Sequence, residues 1–165
     1  MSGHVFDPTI LRAYDIRGIF EQTVTRDDAF AIGVTFAATQ QERGLGAGVA
    51  VGRDGRLSSP ALSAALIDGL CAGGAEVVDI GCGPTPMLYF AAQEIGTPGA
   101  IQVTGSHNPP THNGFKMVMG GQSFFGEDIQ RLGAASAAGV GRRSGGTVRE
   151  TCLLYTSDAA DEVDG

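Results

Sequence analysis

The sequence predicts an α/β domain, three layers deep (α/β/α), built on a mixed, mostly parallel sheet of about four strands with the last strand antiparallel. Short apolar runs alternate with amphipathic segments along most of the chain, joined by short connections. No helical segment separates the last two main strand candidates, so that pair is expected to run antiparallel. Glycine is abundant, at 26 of 165 residues, and suits tight loops between close-packed elements.

The elements follow in order. Thr25-Arg26-Asp27-Asp28 matches a capping box, and Phe30, Gly33, Val34 and Ala37 then share one helical face, with a stop near Arg43-Gly44. Ala47–Gly52 is a short buried strand that runs into the polar turn Arg53-Asp54-Gly55-Arg56. Ser59-Pro60 predicts a helix start, with Ser59 as N-cap and Pro60 in the first turn; Leu62, Leu66, Gly69 and Leu70 continue it to Gly73-Gly74. Glu76–Ile80 is the next strand. Pro84-Thr85-Pro86 leads into a helix through Met87, Phe90, Ala91 and Glu94. Ala100–Val103 and Phe115–Met119 are strands, and Glu127–Ala138 is a helix with acidic residues in its first turn. Gly139–Gly146 reads as a hairpin or linker, and Thr147–Glu150 is a candidate short strand.

Composition narrows the function classes. The formal charge is −7, but Asp158, Asp161, Glu162 and Asp164 lie past residue 150, leaving −3 over residues 1–150. That balance carries no basic surface for nucleic acid. No apolar run is long enough for a bilayer, and Met1–Leu11 lacks signal-peptide character, so a cytoplasmic protein with no membrane partner is expected. Cys71 and Cys82 have no metal or redox spacing and read as reduced, small apolar residues. His4 and His112 read as surface residues.

Chemistry concentrates after strands. Arg53–Arg56, Gly81–Pro86 and Thr104–Asn108 should share the carboxyl edge of the sheet, where α/β folds gather ligands. Thr104-Gly105-Ser106-His107-Asn108-Pro109-Pro110 follows the run Ala100–Val103 and places a serine hydroxyl at a strand mouth. A strand that delivers a nucleophile to a rigid turn is a recurring covalent-site design, although Gly, Ser, Asn and Pro also make ordinary loops. Lys116, the one lysine, follows shortly after in Asn113-Gly114-Phe115-Lys116. Arg12-Ala13-Tyr14-Asp15-Ile16-Arg17-Gly18 offers a phenol and two guanidinium groups to an anionic, hydroxylated ligand, but taken alone it is better read as a surface Asp–Arg pair flanking a turn. Ser106 has no GxSxG context, and no GxxxxGK[ST] loop is present.

Arg12–Gly18, Val51–Arg56, Pro84-Thr85-Pro86, Thr104–Pro110 and Asn113–Lys116 occur together in the order and spacing of the α-D-phosphohexomutases. The chain most resembles their bacterial phosphomannomutase/phosphoglucomutase branch, over residues 8–150; phosphoglucosamine mutase is the closer rival, and a non-catalytic sugar-phosphate-binding module the more distant one. The resemblance implies that Ser106 is a phosphoserine that exchanges a phosphoryl group with hexose 1- or 6-phosphate through a hexose 1,6-bisphosphate. It further implies catalytic roles for His107 and Lys116, substrate contacts for Tyr14, Arg17 and Asn108, and Mg²⁺ bound in part by Ser106. The family's Asp-Gly-Asp-Gly-Asp metal loop and later domains have no counterpart here, so the missing domains of the same polypeptide are expected partners beside small sugar phosphates. Two segments are expected: residues 1–150 as the phosphoserine-bearing domain, and 151–165 as a non-native tail. Cys152–Glu162 reads as an in-frame translation of a transposon-type sequencing-library adapter.

Overall fold

The computed structural model describes residues 3–151; the adapter-like segment from Cys152 onward lies outside the described residues. A short 3₁₀ turn at Pro8–Ile10 precedes β1 (Ile16–Ile19), α1 (Arg26–Glu42), β2 (Gly48–Arg53), α2 (Ser59–Ala72), β3 (Glu76–Cys82), α3 (Thr85–Ile95), β4 (Gly99–Val103), β5 (His112–Met119), β6 (Gln122–Phe124), α4 (Glu127–Ala138) and β7 (Thr147–Glu150). The strands form one seven-stranded sheet in the order β1-β5-β4-β2-β3-β7, with β6 sharing the β1 side of β5. β2 pairs in parallel with β3 and β4, and β3 with β7, whereas β5 runs against β4, β1 and β6. Six strands therefore share one direction and β5 alone is reversed.

The sheet is larger than the roughly four strands expected from patterning. β1 escapes notice because Arg17 and Gly18 interrupt its apolar pattern, and β6 because it is three residues long. The β5–β6 hairpin did carry a signal. Gly120 and Gly121 sit at φ 61° and 75°, the positive pair that a two-residue type I′ turn requires.

Both sheet faces are covered, unequally. Val49, Val51, Ile101, Val103, Phe115 and Met117 point into the main core against Phe36, Leu62, Leu66, Leu70, Ile129 and Leu132 of α1, α2 and α4. Ala50, Val78, Ile80 and Ala100 face the other way, against Leu88 and Ala91 of α3. Each fully buried large aliphatic or aromatic side chain stabilises the fold by about 1.5–3 kcal/mol, so the α1/α2/α4 side carries most of the stability. α1 is closed at its start by the Thr25–Asp28 capping box. It then crosses α2 at Gly33 and Gly69, where a Cβ on Gly69 would overlap the Phe30 carbonyl oxygen.

Three local expectations change. Ser58, not Ser59, is the N-cap of α2, and neither side chain caps it, because the Ser59 hydroxyl is committed elsewhere. His4 is no free surface residue: its Nε2 lies 2.6 Å from Asp28 Oδ1, tying the N-terminal segment to α1. Cys82, read as a small apolar residue, is exposed at the carboxyl end of β3; Cys71 and Cys82 are both free thiols.

The chain leaves β2 toward β3 on one side and returns through β4 on the other. The crevice between the carboxyl ends of β2 and β4 is thus the topological switch point, where open α/β sheets bind ligands. Asp54 extends the β2–β4 ladder there, its N–H donating to Val103 O at 2.9 Å.

Candidate active site

Ser106 stands at this crevice, three residues past β4, and is exposed. Its φ is 52°, and apart from Glu21 it is the only non-glycine residue with positive φ among the described residues. A left-handed conformation costs an L-residue about 1–2 kcal/mol, so the surroundings must hold it. The positive φ falls on Ser106 itself and not on its neighbour Gly105. Gly105 serves close approach instead, since a Cβ there would overlap the Arg56 guanidinium.

The loop is bonded from several directions. Ser106 N–H donates to Thr104 Oγ1 at 2.9 Å. The Gly105 carbonyl accepts from Asn108 N at 3.0 Å, from Asn108 Nδ2 at 3.2 Å and from Arg17 Nη1. Asn108 thus spends its side-chain amide within the loop. Asp54 Oδ2 accepts from Gly105 N at 3.0 Å, and its Oδ1 accepts from Ser59 Oγ at 2.5 Å. Burial acts to raise the Asp54 pKa. Hydrogen bonds from Ser59, Gly105, Arg56 and Thr104 outweigh it and hold the carboxylate below its ordinary value. Asn113, fully buried on β5, donates to Ser58 Oγ at 2.7 Å and Ser59 Oγ at 3.0 Å and so closes the network.

Arg17 reaches the loop from β1. It is 2 % exposed, and burial pushes its pKa down despite Asp15, with Arg12 and Arg56 acting in the same direction as burial. Guanidinium stays cationic at neutral pH even so. Its Nη2 lies 2.7 Å from Asp15 Oδ2 in an ion pair. Among the described residues, its buried Nε has no hydrogen-bond acceptor. A donor of this kind, buried and unspent beside an exposed hydroxyl, suits an oxyanion.

Tyr14, Asp15 and Lys116 line one cavity of about 390 Å³ together with Tyr89 and Phe125. Tyr14 is exposed and stacks on Phe125, with ring centroids 6.1 Å apart and planes at 21°. Gly126 N–H anchors the Tyr14 loop by donating to Ala13 O at 2.7 Å. Lys116 sits on β5 opposite Gln102, four residues before Ser106. His107 is exposed beside Ser106 in the same turn. The chain through Asp15 and Arg17 to Gly105 links the Tyr14–Lys116 cavity to the serine loop. The sequence marked Arg53–Arg56 as a turn on this edge and Ser59 as a helix cap, but gave Asp54, Arg56, Ser59 and Asn113 no part in the site; their bonds to the serine loop and across β5 span about fifty residues of sequence and no local pattern reports them. Among the described residues no three His, Cys, Asp or Glu side chains gather as a metal site, and no helix is long and apolar enough to cross a membrane.

Comparison with known proteins supplies the family and agrees with the fold. Residues 8–139 match the family model described as phosphoglucomutase/phosphomannomutase, alpha/beta/alpha domain I. Over 124 residues the chain is 52 % identical to a phosphoglucomutase of Neisseria gonorrhoeae, covering 74 % of this chain and 26 % of that protein. It is 48 % identical over 124 residues to the phosphomannomutase/phosphoglucomutase of Pseudomonas aeruginosa, covering 75 % of this chain and 27 % of that one. A crystal structure of a phosphoglucomutase/phosphomannomutase family protein from Burkholderia thailandensis superposes with a TM-score of 0.86 at 40 % identity, over 93 % of this chain and 35 % of that one. The chain spans about a quarter of the length of the curated relatives it matches. With the switch-point crevice, the serine loop and these likenesses in hand, the chain belongs to the phosphoglucomutase/phosphomannomutase family and carries its α/β/α domain I.

Proposed function

We propose that this chain is the phosphoserine-bearing domain of an enzyme that interconverts hexose 1-phosphates and hexose 6-phosphates. The observation that carries the reading is Ser106, an exposed hydroxyl at φ 52° on a loop held by Asp54 and Arg17 at the switch point. In this reading phosphorylated Ser106 transfers its phosphoryl group to a free sugar hydroxyl. The Oγ–P bond breaks, a P–O bond to the sugar forms, and the hydroxyl proton passes to a base. The resulting hexose 1,6-bisphosphate reorients and returns its other phosphoryl group to Ser106. Such transfer depends mainly on positioning and charge neutralisation. In this reading the buried Nε of Arg17 supports the phosphoryl oxygens, and His107 and Lys116 move the proton or steady the charge. Tyr14, on its Phe125 stack, faces the sugar, while Asn108 acts through the loop.

Ser106 Oγ is a hard oxygen ligand and fits one position of a Mg²⁺ site; no acidic cluster among the described residues completes it. When bound, Mg²⁺ would neutralise charge on the transferring group, with its other ligands drawn from water, substrate or the rest of the polypeptide. A cytoplasmic setting accords with the two free thiols.

The test uses the full-length gene product with glucose 1-phosphate and mannose 1-phosphate as substrates. Conversion to the 6-phosphates is expected, with loss of turnover in Ser106→Ala; an undiminished rate in that variant removes Ser106 from the mechanism. Binding of both sugar phosphates with no conversion by the wild type would favour a non-catalytic module.

A further inference from the structure

We propose that Arg56 is the positioning residue of the serine loop: it sets the geometry of Ser106 without touching substrate. Arg56 Nη1 donates to Pro109 O at 2.6 Å and His112 O at 3.1 Å, and Nη2 donates to Ser106 O at 3.0 Å and Asn108 O at 2.7 Å. Its Nε donates to Asp54 Oδ2 at 3.2 Å. A guanidinium has five N–H donors, and here all five are spent on the protein. This separates Arg56 from Arg17, whose Nη2 is ion-paired with Asp15 but whose buried Nε has no hydrogen-bond acceptor among the described residues. Arg56 therefore has nothing left for a phosphate and acts through the loop.

The geometry explains what it does there. Four carbonyl oxygens between residues 106 and 112 converge on one planar cation, so their negative ends point at Arg56 and away from an incoming anion. Gly105 lies against the guanidinium, with no room for a side chain. Asp54 completes the clamp by holding Gly105 N, Arg56 N and Arg56 Nε at once. The pair is internally neutralised and holds an otherwise costly left-handed serine at the crevice. Lysine cannot replace it, because three tetrahedral donors do not match four carbonyls arranged about a plane.

The activity arm of the test rests on the proposed mutase reading. In the full-length protein, Arg56→Lys should lower kcat about a hundred-fold, the scale of a misplaced reacting group, while KM for glucose 1-phosphate stays near the wild-type value. Millimolar methylguanidinium should restore part of the lost kcat in Arg56→Ala, and methylammonium should not. Amide hydrogen exchange over residues 104–112 should quicken in Arg56→Lys while α1 keeps its protection, a readout independent of catalysis. A raised KM at unchanged kcat would make Arg56 a substrate contact and overturn the proposal, as would wild-type kcat and loop protection in Arg56→Lys. If Arg56→Ala does not fold, the lysine variant carries the test. Ser106→Ala separates the two readings. Full activity there sinks the mutase mechanism and leaves the exchange arm to judge Arg56, whereas a dead Ser106→Ala beside an unaffected Arg56→Lys sinks only the positioning role.

Discussion

At the scale of single residues, the crevice divides into groups with free surface or unspent donors and groups that hold the loop. Ser106 and His107 are exposed, Arg17 is buried with unspent donors, and Asp54, Ser59 and Asn113 satisfy one another behind them. Asp54 gives this network a pH signature. Its folded-state pKa lies below the ordinary value of about 3.9, so its contribution is complete above that pH and is lost as pH falls through the lower folded value. Asp54→Asn should therefore destabilise the fold by about 1–2 kcal/mol at neutral pH, the scale of lost hydrogen bonds to a charged acceptor. In denaturant titrations between pH 7 and 3, the gap between wild type and variant should narrow only below about pH 4. A gap that ignores pH would mean that the carboxylate charge is not its source.

Among the elements, the α1–α2 crossing sets the tightest constraint. Gly33 and Gly69 let two helix backbones touch, and α1 is buried around most of its circumference as a result. Gly69→Ala gains about 1 kcal/mol of helix propensity but must displace the Phe30 carbonyl, an overpacking cost of about 3 kcal/mol. A net loss of about 2 kcal/mol is expected in chemical denaturation, whereas Gly55→Ala, with open space around it, should change stability little. Legibility at this scale tracked periodicity. The capping box, the five strands β2, β3, β4, β5 and β7 and all four helices were visible as patterns. β1 and β6 were not, because strands of four and three residues have too few positions to show alternation and owe their existence to pairing with β5.

For the molecule as a whole, the decisive fact is how small a share of its relatives' length it covers. It spans about a quarter of the length of its relatives, and among the described residues no acidic cluster gathers as a metal site. The 165-residue chain alone is expected to show no measurable conversion of glucose 1-phosphate or mannose 1-phosphate with Mg²⁺ present, while the full-length product turns both over. Full activity in the short chain would overturn that division of labour.

Local chemistry settled the fold class and the serine loop, because strand periodicity, helix caps and turn residues act between near neighbours in sequence. The grouping of Tyr14, Arg17, His107 and Lys116 came instead from the family resemblance. The clamp on Ser106 was decided only in three dimensions. Arg56 and Asp54 follow β2, the serine loop follows β4, and about fifty residues separate them until the β3 crossover returns the chain to the far side of β2. Hydrogen bonds of that range depend on sheet order, which no local pattern encodes. The same order leaves Arg17 with donors to spare and Arg56 with none.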